Sequence, residues 1–349
     1  MRTLHVISHT HWDREWYRTF QQFRLRLVLL IDGLLELLED DPQFKYFMLD
    51  GQTIVLDDYL HMRPEKEDIL RGHIQSGRIL IGPWHILPDM FLVGPEAHIR
   101  NLLQGERTTK RFGPKMKLGY IPDPFGHPAQ TPQILRGFGI DTACVWRGLD
   151  EQPAEFWWQA PDGTRVLMAY LRDSYSNGAS LPVDNPPAFA TAITALGDSL
   201  AVHSAAQDFL IMLGTDHMQP PTGTSAAIAS ADHTLPDTRV IHSTLPAYVA
   251  ALRSSVDLDK LPVVEGDVVK VFHQRLGREL ALKADLVVLS TPLIAGEDNE
   301  TISKQLRVSL DENKFFLEGH VKLKPLDFAT DGVYLCGNAH YPATVREAI

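Results

Sequence analysis

Cysteine is almost absent: Cys144 and Cys336 are the only two in 349 residues. Both sit in apolar, strand-like runs and read as buried thiols, so neither a disulfide framework nor a cysteine-held iron–sulfur centre is expected. No apolar run approaches the roughly 18 residues of a membrane span. No Gly-x-Gly-x-x-Gly turn occurs, which removes the usual helix N-terminal cradle for a dinucleotide pyrophosphate. Positive charge is also in deficit. Lys and Arg number 33 against 44 Asp and Glu, a formal net charge of −11, which argues against nucleic acid or an anionic membrane surface as partner. Met1-Arg2-Thr3-Leu4 enters an apolar stretch at once, leaving no room for a signal peptide, and the expected location is cytoplasmic.

What remains is an ordinary globular composition, 44% apolar and 22% charged, long enough for one large or two smaller domains. The informative stretch comes first. The apolar run Leu4–Ile7 leads into Ser8-His9-Thr10-His11-Trp12-Asp13-Arg14-Glu15-Trp16. A strand that delivers imidazoles, carboxylates and indoles to its C-terminal end is building a site, because ligands of α/β folds bind at the carboxyl ends of strands. His11 and Asp13 flank one residue, so in extended chain they point the same way. That spacing suits two ligands of one metal, and imidazole plus carboxylate suits Zn²⁺, with Mn²⁺ or Co²⁺ also admitted. The plain alternative is a polar loop with a buried, hydrogen-bonded histidine.

Behind the motif, Leu27, Leu30, Ile31, Leu34, Leu35 and Leu38 recur at helical spacing and mark a core-facing stripe. Strands and helices then alternate. Strands are expected over 44–49, 78–81, 117–121, 142–146 and 209–213, and a hairpin around Pro161-Asp162-Gly163. Alternation of this kind implies parallel strands with crossover helices. Four of the strand ends carry unusual chemistry: His11 and Asp13, Trp84 and Asp89, Asp123 and Phe125, Asp216 and His217. In a parallel sheet or barrel all of them lie on one face.

These segments together resemble the N-terminal catalytic domain of glycoside hydrolase family 38, the α-mannosidases. The motifs are His-Thr-His-Trp-Asp-Arg-Glu-Trp at 9–16, Asp-Gly-Gln at 50–52, Gly-Pro-Trp at 82–84 with Pro88-Asp89, Gly-Tyr-Ile-Pro-Asp-Pro-Phe-Gly-His at 119–127 and Gly-Thr-Asp-His at 214–217. They span roughly residues 1–265. The resemblance implies an α/β fold, a parallel β/α barrel-like domain of the seven-stranded type. It implies that His11, Asp13 and Asp123 ligate one zinc ion, that Asp123 is also the nucleophile and that Asp216 is the general acid/base. It places Trp16, Asp89, Phe125 and Arg147 at the sugar, and Trp84 and His217 are added as further expected contacts. The implied reaction is hydrolysis of an α-mannoside or mannose-containing oligosaccharide with retention. The chemistry agrees with the residue types. Retention needs two carboxylates about 5 Å apart, one forming a glycosyl-enzyme and one moving a proton.

The family's further zinc-ligand histidine, in an Asn-His-Pro-His-Asp-like stretch, has no counterpart among residues 1–349. A three-ligand site of weakened affinity and impaired activity is therefore expected. From residue 266 the character changes. Asp311–Leu317 and Phe328–Ala339 resemble the end of a heterodisulfide reductase A subunit-like FAD oxidoreductase, and 266–349 is expected to be a small, truncated α+β fragment of that kind. Without a dinucleotide turn it is not expected to hold FAD. A fused or misassembled reading frame is the expected origin of the pairing. The rival readings are a metal-dependent deacetylase on a similar barrel, an inactive chimeric fragment, and a flavin-dependent electron-transfer subunit.

Overall fold

The computed structural model of the chain describes residues 1–149, 151–269, 271–272, 281–282, 295–320, 324, 327–335 and 339. Residues 1–283 form one compact unit and 284–349 a second. In chain order the first unit runs β1 (Arg2–Thr10), α1 (Phe20–Asp40), β2 (Phe47–Leu49), α2 (Ile54–Leu60), α3 (Glu67–Gln75), β3 (Ile79–Leu80), α4 (Pro95–Phe112), β4 (Gly119–Ile121), β5 (Gly126–His127), α5 (Thr131–Gly137) and β6 (Thr142–Val145). It continues with β7 (Glu155–Gln159), β8 (Arg165–Tyr170), α6 (Pro186–Ala201), β9 (Asp208–Leu213), α7 (Thr224–Thr234), β10 (Thr238–His242), α8 (Leu245–Ser255), β11 (Val263–Glu265) and β12 (Val268–Val269).

β1 is the shared strand. Its first half pairs in parallel with β10, its last residues with β2, and most of its length with β9. β2 in turn pairs with β3. Leu4 to Thr10 are all buried, as a parallel strand covered on both faces must be. A second sheet has the order β11-β7-β8-β6-β4, with β4, β6 and β8 mutually parallel and β7 antiparallel to β8 around the expected hairpin. One apolar cluster joins the two sheets, with Ile7, Met48, Tyr120, Cys144, Leu167 and Met212 contributed by β1, β2, β4, β6, β8 and β9. Between the sheets, Met116 N–H donates to Ile81 O at 3.0 Å. On the other side the Asn177 amide binds β9, donating to Leu210 O and accepting from Met212 N–H.

The helices follow from their sequences. α1 buries Phe23, Leu27, Leu30, Ile31, Leu34, Leu35 and Leu38 on one face, and Gln22 accepts from Thr19 N–H at its start, half of a capping box. α4 and α6 begin at prolines, where a missing N–H costs nothing. Elements agree with the sequence reading to within a few residues. One difference matters for the site. Pro122 and Pro124 make 122–128 read as loop, since a buried strand does not hold two prolines, but Gly126–His127 pairs antiparallel with Val268–Val269. Asp267 also accepts from Ala129 N–H at 2.7 Å. Trp158 Nε1 donates to Gly266 O, so residues 263–269 form a strap over the 123–129 segment. The expected domain boundary after residue 265 falls inside this strap.

In the second unit the described residues include α9 (Asn299–Leu306) and three isolated antiparallel bridges, Leu310 with Phe316, His320 with Lys324 and Asp327 with Tyr334. Val308, Phe316, Phe328 and Leu335 make a small apolar cluster. Residues 284–291, an apolar run that reads as a strand, residues 343–349, which read as a helix, and Cys336 lie outside the described residues. Among the described residues no helix is long and apolar enough to cross a membrane.

Two histidine–serine pairs lock β10 to β1. His5 Nδ1 meets Ser243 Oγ at 2.9 Å, and Ser8 Oγ meets His242 Nε2 at 3.0 Å. His242 Nδ1 also accepts from Lys45 N–H at 3.2 Å, so its ring is neutral. Burial lowers its pKa from 6.5 to about 4. The unfolded chain takes the proton first, so this contribution is present above pH 6.5 and is lost as pH falls toward 4. The full shift is worth roughly 3 kcal/mol at 1.36 kcal/mol per pH unit. Urea unfolding measured from pH 7 to pH 4 should show falling stability, with a shallower fall in His242→Gln. An identical slope in the variant would contradict the assignment.

Candidate active site

The β1 ladder does not stop at Thr10. His11 N–H donates to Thr215 O at 3.1 Å, and His217 N–H donates back to His11 O at 2.8 Å. The motif after β1 and the motif after β9 are therefore consecutive rungs of one parallel pairing, with Asp216 directly opposite His11. The approach is close enough to dictate a residue. A Cβ on Gly214 would lie 2.0 Å from His9 O, so only glycine fits there.

Around this seam an open cleft of about 470 Å³ is lined by His11, Trp12, Asp13, Arg14, Gln52, Leu87, Asp89 and Asp123. His11 is buried. Its Nδ1 lies 3.1 Å from Asp50 Oδ1 and 3.0 Å from Oδ2. Among the described residues its Nε2 has no hydrogen-bond partner, and it faces Asp13 Oδ1 at 3.6 Å and Asp123 Oδ2 at 3.9 Å. Burial opposes charge on His11, but Asp50 and Asp13 outweigh it and raise its pKa well above the ordinary imidazole value. Burial likewise opposes an ionised Asp13, and the His11 ring overcomes it and lowers that pKa. Asp89, across the cleft, is raised by desolvation and then by the like charges of Asp123 and Asp13. Three carboxylates thus crowd one cleft with unbalanced negative charge.

Asp123, just past β4, is held from one side. Arg147, just past β6, donates from Nε and Nη2 to Oδ1 at 2.9 and 2.8 Å. The guanidinium lies flat against Trp146 and Phe125, 4.1 and 4.8 Å from their ring centres, so its direction is set by stacking as well as by charge. Asp216 Oδ1 accepts from Tyr175 O–H at 2.7 Å, and the Tyr175 ring packs against His11 at 4.9 Å and Trp146 at 5.3 Å. Trp16 and Phe125 are largely exposed, at 66% and 71%; Trp16 packs edge-on to Tyr17 and Phe125 against Arg147.

Two expected contacts are corrected by burial. Trp84 has no exposed surface. Its Nε1 donates to Tyr120 O at 3.1 Å, and the ring joins the core cluster beneath the cleft. The His217 side chain is also fully covered. It stacks on Phe23 at 4.4 Å, meets Trp12 edge-on at 4.9 Å, and turns Nε2 toward Asp13 at 3.7 Å. Both residues support the cleft from behind.

A sequence profile of the glycosyl hydrolases family 38 N-terminal domain matches residues 1–271. The chain belongs to this family. It is 42% identical over 270 residues to a putative mannosylglycerate hydrolase of Halalkalibacterium halodurans, covering 73% of this chain and 30% of that one. An alpha-mannosidase structure from Enterococcus faecalis V583 superposes with a TM-score of 0.73 at 35% identity, covering 77% of this chain and 31% of that chain. The human alpha-mannosidase 2C1 is 30% identical over 190 residues, 51% of this chain and 18% of its own. The chain therefore spans about a third or less of these relatives. A separate, short similarity, 43% identical over 68 residues or 20% of the chain, is to 8% of a heterodisulfide reductase protein (ferredoxin:CoB-CoM type) of Methanosarcina acetivorans.

Two residues of this family 38 domain escaped the sequence reading of roles. Tyr175 stands in a stretch with no motif around it, and only the packing of Ser174–Pro187 beneath β9 brings its hydroxyl to Asp216. Asp50 was visible as part of Asp-Gly-Gln, but its partner is 39 residues away.

The donors fit a divalent cation in kind. They are one imidazole nitrogen left bare in a buried position, and two carboxylates facing it. A tetrahedral zinc shell with bonds near 2.1 Å separates its donors by roughly 3.4 Å, against the 3.6 and 3.9 Å found here. Among the described residues no group of three acidic, histidine or cysteine side chains is already drawn to ligating distance.

Gly214→Ala should cost about 1–3 kcal/mol, since backbone must move to admit the methyl group. It should also part Asp216 from His11. Denaturant unfolding reads the first effect. An unchanged midpoint would mean that the β1–β9 seam yields freely.

Proposed function

We propose that this domain hydrolyses α-mannosides with retention of configuration, with zinc bound by His11, Asp13 and Asp123. The observation that carries the reading is the convergence of Asp123 and Asp216, each with a dedicated hydrogen-bond donor, on the His11–Asp13 end of β1. The family membership and the mannosidase names of several relatives support the sugar. Together with the core shared by the two sheets, they also support a barrel-like arrangement of the strands.

The roles follow from the partners. Arg147 donates to Oδ1 of Asp123 and fixes the orientation of the carboxylate, as an attacking group needs. Asp216 protonates the glycosidic oxygen as Asp123 attacks the anomeric carbon, so the C–O bond breaks as the ester to Asp123 forms. Asp216 then takes a proton from water, whose oxygen attacks the same carbon and releases the mannose and the free Asp123 carboxylate. Tyr175 holds the Asp216 carboxyl in line for both transfers. Zinc, when bound, orients the sugar hydroxyls and offsets the negative charge of the cleft. Trp16 and Phe125 present flat apolar faces to the ring, and Asp89 accepts from its hydroxyls. The similarity to a putative mannosylglycerate hydrolase makes a mannoside with a small anionic aglycone the second substrate to test.

Asp123→Ala should abolish turnover of an aryl α-mannoside, and Asp216→Ala should lower it about 10²-fold or more, less for leaving groups that need no proton. Elemental analysis should find about one zinc per chain in the wild type and none in His11→Ala. Turnover that survives Asp123→Ala would remove the nucleophile assignment, and inversion seen by NMR of the first-formed sugar would remove the mechanism.

A further inference from the structure

Asp50 has no role in the chemistry above, yet the fold accepts two costs to keep it where it is. The residue is fully buried, which is expensive for a carboxylate unless its oxygens are satisfied. It also adopts φ 51°, a left-handed conformation that side chains other than glycine rarely take and that persists only where surrounding contacts enforce it. The enforcing contacts converge from three directions. His11 Nδ1 approaches both oxygens, and Trp12 N–H donates to Oδ2 at 2.8 Å. Gln52 Nε2 donates to the same oxygen at 2.8 Å and to Trp12 O at 2.9 Å. Gln52 Oε1 in turn accepts from Leu87 N–H at 3.0 Å, two residues before Asp89. One turn therefore joins the His11 ring, the backbone after it and the loop that forms the opposite wall.

We propose that Asp50 is the positioning residue of the cation site. It fixes the His11 ring with the proton on Nδ1, so that Nε2 turns its lone pair toward a divalent cation between Asp13 and Asp123. The direction follows from the acceptors. A carboxylate at Nδ1 accepts only, so that nitrogen must donate, and the other nitrogen is buried without a partner. Carboxylates behind ligating histidines act in this way. The inference rests on the zinc reading above.

The test is zinc affinity by chelator competition on the full chain, for wild type and Asp50→Asn. Asparagine keeps the volume but points an N–H pair at groups that are themselves donors. Zinc should bind the variant about 10- to 100-fold more weakly. A wild type that binds zinc and a variant that matches it within about twofold would overturn the positioning role alone. A wild type that binds no zinc would overturn the zinc reading and this inference together. A second measurement does not depend on the variant folding. Long-range ¹H–¹⁵N spectra of the zinc-loaded wild type should show the His11 ring protonated at Nδ1 and carrying no proton at Nε2, and the opposite tautomer would refute the proposal.

Discussion

The site depends on the backbone pairing of β1 with its neighbours beyond the last residue of the strand proper. His11 gives its N–H to Thr215 and receives one from His217, so two segments 200 residues apart are held at the spacing of adjacent strands. Side-chain contacts alone would leave Asp216 and His11 free to drift by an ångström or more. Ladder hydrogen bonds hold them to the precision that a functional site needs. Gly214 is the steric condition of that pairing, and the left-handed residues Asp50 and His217 are where the chain bends sharply enough to satisfy it.

Electrostatics set the rest. The cleft gathers Asp13, Asp89 and Asp123 against one facing guanidinium, since Arg147 is given to Asp123 and Arg14 is bound to Asp58 outside the crowd. Desolvation raises the pKa of Asp89, and the like charges of Asp123 and Asp13 add to it. Such a surplus of negative charge suits a site that receives a cation, and it suits poorly a site that binds an anion at the same point. Buried Trp12 and Phe23, packed against His217, keep water from the back of the cleft and so preserve these interactions at their low-dielectric strength.

The order of strands and helices was legible because its signals are local. The α1 stripe, the prolines opening α4 and α6 and the hairpin turn at Pro161-Asp162-Gly163 each carry their own physics. The chemistry at the ends of β1, β4 and β9 was legible for the same reason, since unusual residues stood at the carboxyl ends of apolar runs. The short strand Gly126–His127 was not, because its partner at Val268–Val269 lies far along the chain. Trp84 and His217 were misjudged because an aromatic or imidazole beside a site looks the same in sequence whether it faces the cleft or the core.

The sequence by itself determined which groups are available and on which strand ends they stand: His11 and Asp13 two residues apart, Asp123 after an apolar run, Asp216 after another. Periodicity and terminal residues act within a few positions, and that is the range over which a linear reading is reliable. Only the tertiary structure decided which of these groups meet, which nitrogen of His11 faces Asp13 and Asp123, and that Tyr175 and Asp50 stand behind Asp216 and His11. Those outcomes depend on strand pairing and packing between residues dozens to hundreds of positions apart. Register across a sheet is a property of two segments together and is written in neither of them alone.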